Sequence, residues 1–120
     1  MAVYTSYFGL VRKLPKGMIK MAVCYKPIRG IGIWNSVVPD ADYVYGYKRG
    51  EINEQQYEEL YYNYLLARKE QIAGNIPYLK GGTDVVLLCY EKPGDFCHRH
   101  ILARFLREQF ELEVKEYEVA

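Results

Sequence analysis

The chain has 120 residues, of which 50% are hydrophobic and 26% are charged, and its formal net charge is +1 at pH 7. This composition is that of one globular domain spanning residues 1–120, and it excludes a disordered tail, a collagen-like repeat and a highly charged linker. The small net charge demands neither a nucleic-acid partner nor a membrane partner.

The sequence also bears on compartment and on the use of cysteine. No apolar run approaches the roughly 20 residues that span a bilayer, and Met1-Ala2-Val3-Tyr4 lacks the basic and then apolar pattern of a signal peptide. We therefore expect a cytoplasmic protein with no membrane partner. Three cysteines without an export signal favour free thiols, metal ligands or redox chemistry over a disulfide framework.

The amino-terminal part predicts two strands and a long loop. Residues 1–5 are short, apolar and β-prone, residues 10–14 predict a short helical turn, and residues 18–24 predict a second strand. Residues 26–50 contain several prolines and glycines without a sustained period, so they predict a long loop. Loops of this length are often functional, which draws attention to three of its side chains: Arg29, Trp34 and Lys48.

The next segment predicts a long helix. Asn53 and Gln56 have the spacing of a capping box, and apolar and tyrosine residues recur on one helical face as far as Ile72. Gly74 and Pro77 are expected to end this helix. A stripe of tyrosines at helical spacing indicates core packing more often than a ligand-stacking surface.

The carboxyl-terminal part predicts a strand, a helix and a last strand. Residues 83–90 include a continuous apolar run that is typical of a strand buried on both faces. A helix is predicted over residues 97–109, and residues 112–119 predict a strand near the sheet edge. The alternation predicts an α/β fold, a three-layer Rossmann-like sandwich with a mostly parallel sheet.

Reactive side chains concentrate between Cys89 and His100, where the buried strand meets the helix. Ligands of open parallel sheets bind beyond the carboxyl ends of the strands. Ser6 and Cys24 end the first two predicted strands, so we expect them at the same edge, with all three cysteines converging there. On the helix, the spacing turns Cys97 and His98 toward the sheet and leaves Arg99 nearer the flank. The positive end of the helix makes Cys97 a candidate low-pKa thiol.

Three chemical interpretations compete with a purely structural one, in which Cys89 and His98 are ordinary core residues. In an anion site, Arg99 and the helix start bind phosphate, and Cys97 or Glu91 supplies a nucleophile or general acid/base. In a zinc site, the ligands are Cys24, Cys89, Cys97 and His98, although seven residues separate Cys89 from Cys97 where zinc knuckles usually have about two to four. In a redox site, Cys89 and Cys97 form a reversible disulfide.

The run Leu87-Leu88-Cys89-Tyr90-Glu91-Lys92-Pro93 and the following Phe96-Cys97-His98-Arg99 closely resemble the Cys-x-Glu and Cys-His-Arg signature of the bacterial and viral domain-of-unknown-function family four-eight-eight. This resemblance implies a Rossmann-like α/β sandwich and no particular reaction. Many relatives carry Asp-Val-Arg after the second strand, where this chain has Cys24-Tyr25-Lys26-Pro27. The departure leaves Lys26 as a candidate basic substitute.

The leading hypothesis is a pocket for a phosphate-bearing ligand, either a nucleotide or a nucleic-acid end. Glu91, Cys97 and Cys89 are its candidate catalytic residues, and the candidate substrate-binding residues are His98, Arg99, Ser6 and Lys26. The alternative is a non-enzymatic interaction module whose Cys/His cluster is structural and binds zinc. The sequence identifies no cofactor, substrate or oligomeric state.

Overall fold

The computed structural model describes residues 2–24, 30–91 and 95–118. Within these ranges, five strands form one sheet, and every neighbouring pair is parallel. The order across the sheet is β3-β2-β4-β1-β5. The strands are β1 (Val3–Tyr7), β2 (Ile19–Ala22), β3 (Gly32–Ile33), β4 (Val85–Cys89) and β5 (Val114–Glu116).

Helices pack against this sheet and complete the expected three-layer Rossmann-like α/β sandwich. They are α1 (Ala41–Lys48), α2 (Glu54–Ala67), α3 (Lys69–Leu79) and α4 (His98–Phe110), with 3-10 turns at Phe8–Lys13 and Asn35–Val37. None of the helices in the described ranges has both the length and the apolar character that crossing a membrane requires.

Strand β4 is the centre of the core. It lies between β1 and β2, and all five of its side chains are buried. Because successive side chains of a strand point to opposite faces, complete burial means that both faces of the sheet are covered at this strand. The uninterrupted run Val85-Val86-Leu87-Leu88-Cys89 is therefore the sequence of a central strand, and β4 ends at the first reactive residue of the cluster.

The expectation of a long loop over residues 26–50 was wrong for most of the described part. Residues 32–48 contain β3, a 3-10 turn and α1, and the side chain of Asp40 caps α1 by accepting the backbone N–H of Asp42 at 2.9 Å. Helix α1 has only eight residues, too few to be stable alone. It is held by packing on α2, where the ring of Tyr43 lies 5.3 Å from the ring of Tyr57.

The predicted helix after Asn53 begins where expected and then divides in two. Asn53 and Gln56 form the capping box, and Arg68 separates α2 from α3. Gly74 and Pro77 do not end the helix, since both lie inside α3. Pro77 is in the last turn, where its missing N–H removes only one helical hydrogen bond. The closing strand β5 lies at the sheet edge beside β1, as the sequence predicts.

Candidate functional site

The three cysteines gather at the carboxyl edge of the sheet. Cys89 is the last residue of β4, Cys24 follows β2, and Cys97 directly precedes α4. All three are buried. The sulfur atoms of Cys89 and Cys97 are in contact, as in a disulfide, while the two Cα atoms lie 7.7 Å apart. The parallel topology thus brings together side chains from three separate elements.

A cavity of about 230 Å³ opens beside Cys97. Glu91 and Cys97 both border it, so these two candidate catalytic residues face a common space. The walls of the cavity are mostly apolar and aromatic. Among the described residues that line it, Lys48 is the cationic side chain. The lining residues are Cys24, Pro39, Val44, Tyr47, Lys48, Tyr57, Tyr90, Glu91, Phe96, Cys97 and His98.

Cys97 is the N-cap of α4. Its backbone is extended (φ −146°, ψ 139°), and its sulfur accepts the backbone N–H of Arg99 at 3.5 Å. A helix start offers unpaired N–H groups and a partial positive charge, both of which stabilise a thiolate more than a thiol. Cys97 therefore joins the start of α4 to the wall of the cavity.

His98 points inward from the first turn of α4, as its spacing predicts. Its Nε2 lies 2.7 Å from the carbonyl oxygen of Val23. A carbonyl can only accept, so Nε2 carries the proton and Nδ1 keeps the lone pair. Burial lowers the pKa of His98 to about 4, against the smaller upward effect of the Val23 hydrogen bond. The imidazole is therefore neutral at pH 7.

Arg99 is fully buried, because β5 covers the flank of the helix on which the spacing places it. Its side chain is 0% exposed and makes a bidentate ion pair with Glu116 of β5, with nitrogen–oxygen distances of 3.1 and 2.9 Å. It also donates to the sulfur of Cys89 at 3.1 Å and to the backbone oxygen of Glu91 at 2.5 Å. Arg99 is not among the residues that line the cavity. Its guanidinium holds Cys89 and the backbone of Glu91, which follow the end of β4.

Ser6 and Trp34 are candidates among the described residues, and neither lines the cavity. Ser6 is fully buried on β1 beside Leu88, and its hydroxyl has no hydrogen-bond partner among the residues that the structure describes. Ser6 is not among the residues lining the cavity. Lys26 and Arg29 lie outside the described residues. Trp34 is buried away from the cavity lining and donates its indole N–H to Asn75 at 2.8 Å.

The structure adds aromatic residues that sequence reasoning had not assigned to the site. The rings of Tyr47, Tyr57 and Phe96 pack together at its wall, with centroid distances of 4.8 Å between Tyr47 and Phe96 and 5.1 Å between Tyr57 and Phe96. Tyr57 belongs to the stripe of tyrosines for which the sequence favours core packing over a ligand-stacking surface. Tyr47 fell in the supposed loop, where the N-cap Asp40 was the signal that could have revealed α1.

The site also contains a group of metal-binding side chains. One ligand atom from each of Cys89, Cys97 and His98 lies within 4.8 Å of the other two, and all three residues are buried. Cys24 lines the same cavity but is not a member of this group. Two thiols and an imidazole are a ligand set that suits a soft or borderline metal ion such as Zn²⁺.

Comparison with known proteins gives a family but no close relative. No curated protein and no solved structure matches the chain significantly. The family model DUF488-N3a, described as the active DUF488-N3 subclade, matches residues 5–110. This range runs from β1 through α4 and includes the Cys-x-Glu and Cys-His-Arg residues, of which Glu91, Cys97 and His98 line the cavity. The chain therefore belongs to the DUF488-N3a family.

Proposed function

We propose that the cavity binds the base of a phosphate-bearing ligand, a nucleotide or the end of a nucleic-acid strand, and that Glu91 acts on it as general acid or base. The observation that carries this proposal is that Glu91, Lys48 and Cys97 border one aromatic-walled cavity. A carboxylate and a sulfur at an apolar cavity with few polar groups are typical of a binding or catalytic site.

The size of the cavity supports a ligand of this kind. Its volume of about 230 Å³ is below the roughly 300–1,000 Å³ of pockets for drug-sized molecules. It is suited to a single planar ring system, while a sugar and phosphate would remain at the mouth. Aromatic side chains bind bases of any sequence through ring contacts, which are worth about 1–3 kcal/mol per base. Tyr47, Tyr57 and Phe96 offer such contacts.

The charges are arranged for a ligand with a base inside and a phosphate outside. Lys48 is exposed at the end of α1 and borders the cavity, so it takes the phosphate-binding role that the sequence had given to Arg99. Glu91 is partly exposed and lies where a proton can be exchanged with the ligand. Cys97 presents its sulfur to the ligand, and Cys89 acts through its contact with that sulfur.

The test is calorimetric titration of the protein with the four ribonucleoside 5′-monophosphates, the corresponding nucleosides and inorganic phosphate. We expect at least one monophosphate to bind more tightly than its nucleoside. Lys48→Ala should weaken binding of the monophosphate about tenfold, the loss of one charge-assisted hydrogen bond, without changing nucleoside affinity. Phe96→Ala should weaken both ligands to a similar extent, because it removes a ring contact.

Lys80→Ala is the matched control, since Lys80 is an exposed lysine that precedes β4 and so lies at the opposite edge of the parallel sheet. It should bind like the wild type. Glu91→Gln should retain binding and lose any turnover found with the bound ligand. The proposal fails if no monophosphate binds, or if Lys48→Ala and Phe96→Ala both bind as well as the wild type.

A further inference from the structure

We infer that Cys89, Cys97 and His98, with both cysteines reduced, form a Zn²⁺ site whose fourth position opens to the cavity. The three ligand atoms lie within 4.8 Å of one another. In a tetrahedral zinc site, bonds of about 2.3 Å to sulfur and about 2.0 Å to nitrogen place ligand atoms roughly 3.5–3.8 Å apart. Once the cysteines are reduced, the two sulfurs must move apart from their bonding contact to this distance, and all three ligand atoms are already within reach of one ion. This inference goes beyond the proposed function, because it requires no nucleotide.

The backbone spacing of the cysteines favours a bridging ion. The Cα atoms of Cys89 and Cys97 are 7.7 Å apart, whereas disulfide-bonded residues usually have Cα atoms about 4.4–6.8 Å apart. A Cα–Cα distance of 7.7 Å leaves room for an ion between the two sulfurs once they have separated. A thiol reductant first converts the Cys89–Cys97 pair to two thiols and is itself oxidised to a disulfide. Binding of Zn²⁺ then releases one proton from each thiol to the solvent, and two Zn–S bonds and one Zn–N bond form.

The hydrogen bond of His98 fixes the tautomer that a metal ligand requires. Its Nε2 proton is directed at the Val23 carbonyl, at 2.7 Å, which leaves the Nδ1 lone pair for the ion. Histidines that bind metals commonly donate their other ring N–H to a backbone carbonyl or a carboxylate, which fixes the tautomer and the ring plane. His98 already has this arrangement, and its ring is buried.

The charges of the buried groups balance when the ion is present. Two thiolates neutralise Zn²⁺, His98 is neutral, and the Arg99 guanidinium is paired with Glu116. Arg99 also donates to both sulfurs, through its side chain to Cys89 and through its backbone N–H to Cys97. Such hydrogen bonds to ligating sulfur orient the thiolates and tune the metal.

The protein supplies three ligands from the described residues, which is the number found in catalytic zinc sites that keep a position for water or substrate. Cys97 and His98 both border the cavity. The fourth position therefore faces the space where a ligand binds, and it would take a water molecule.

The experiment titrates the reduced, metal-free full chain with Co²⁺ and then with Zn²⁺, without nucleotide. We expect one Co²⁺ per chain, with sulfur-to-cobalt charge-transfer absorption and the visible bands of tetrahedral cobalt, displaced by one equivalent of Zn²⁺. Loss of a side chain that only hydrogen-bonds to a metal ligand weakens metal affinity roughly 10–100-fold. Cys89→Ser and Cys97→Ser each remove a ligand itself, so each should weaken Co²⁺ affinity by more than that. Cys24→Ser is the matched control, a buried cysteine of the same cavity, and should bind like the wild type.

X-ray absorption at the zinc edge identifies the atoms bound to the ion in the wild-type protein. It therefore tests the site even if a variant fails to fold. Two sulfur and two nitrogen or oxygen neighbours are expected. Three sulfurs, or loss of binding in Cys24→Ser, would overturn the open fourth position. An absence of stoichiometric binding, or a zinc ion without sulfur neighbours, would overturn the site itself and leave the nucleotide proposal to its own test.

Discussion

At the scale of single residues, His98 shows how a polar ring can be buried in an apolar core. Its Nε2 contacts the Val23 carbonyl, and the ring of Tyr61 lies beside it with a centroid distance of 5.6 Å. The neutral imidazole satisfies this environment with a single N–H. A second proton would place a buried charge beside Arg99, which explains why the pKa of His98 falls to about 4.

This burial predicts a pH-dependent stability. Below pH 6.5, the unfolded chain takes up a proton at His98 that the folded chain excludes until about pH 4. The free energy of unfolding of the reduced, metal-free protein should therefore fall as the pH drops through this window, by at most about 3 kcal/mol. Urea denaturation between pH 7.5 and pH 5, above most carboxylate titration, measures the slope. His98→Gln should flatten it and His100→Gln should largely preserve it; equal slopes in the wild type and His98→Gln would contradict the assignment.

At the scale of elements, the start of α2 positions one wall of the cavity. The side chain of Asn53 accepts the backbone N–H of Gln56 at 2.8 Å, and the side chain of Gln56 accepts that of Asn53 at 2.9 Å. These two bonds satisfy donors that would otherwise lack partners at the helix start. Tyr57 comes one residue after this box, so the cap fixes the backbone that carries a ring of the site.

Removing the cap should therefore have a local and measurable cost. Asn53→Ala is expected to lower the free energy of unfolding by about 1 kcal/mol, because Asn53 is exposed and loses only its capping bond. Asn53→Ser should retain most of that stability. Asn63→Ala, an exposed substitution in the interior of the same helix, is the control and should cause no loss. Chemical denaturation compares the three variants, and an unchanged Asn53→Ala protein would be evidence against the capping role.

At the scale of the whole molecule, Arg99 connects elements that are far apart in sequence. Its side chain reaches from α4 to Glu116 on the edge strand β5 and to the end of β4. Glu116 also accepts a hydrogen bond from Thr5 of β1 at 2.6 Å. This network fixes the edge strand against the start of α4 and the end of β4.

Breaking this network should destabilise the entire fold. Glu116→Gln leaves the buried Arg99 charge without its carboxylate, and we expect a loss of about 2 kcal/mol, below the value for fully buried pairs because Glu116 is 25% exposed. Replacing both partners, as Arg99→Met with Glu116→Leu, should recover much of the loss, since no buried charge is left unpaired. Thermal unfolding gives the comparison. The control is Glu113→Gln, which changes an exposed carboxylate just before the same strand and should unfold at the wild-type temperature. An equal fall in the unfolding temperature of Glu113→Gln would refute the role of the buried pair.

Information held within short stretches of sequence determined much of the fold. The apolar run of β4, the capping box at Asn53 and the inward face at the start of α4 depend on neighbouring residues, so periodicity and residue type suffice to predict them. The motif around Cys89 and Cys97 likewise identified the family and the edge of the sheet at which the reactive groups lie. Helix α1 escaped prediction because its eight residues depend on packing against α2.

Only the tertiary structure decided which groups share the site. Sequence spacing counted against a metal site at Cys89 and Cys97, but the sheet and the start of α4 bring their sulfurs together regardless of that spacing. Helical spacing placed Arg99 on a flank, whereas β5 covers that flank and supplies Glu116. Lys48 and Tyr47 border the cavity because α1 packs beside it. Contacts between distant segments arise from how apolar faces pack, and no local pattern encodes that packing.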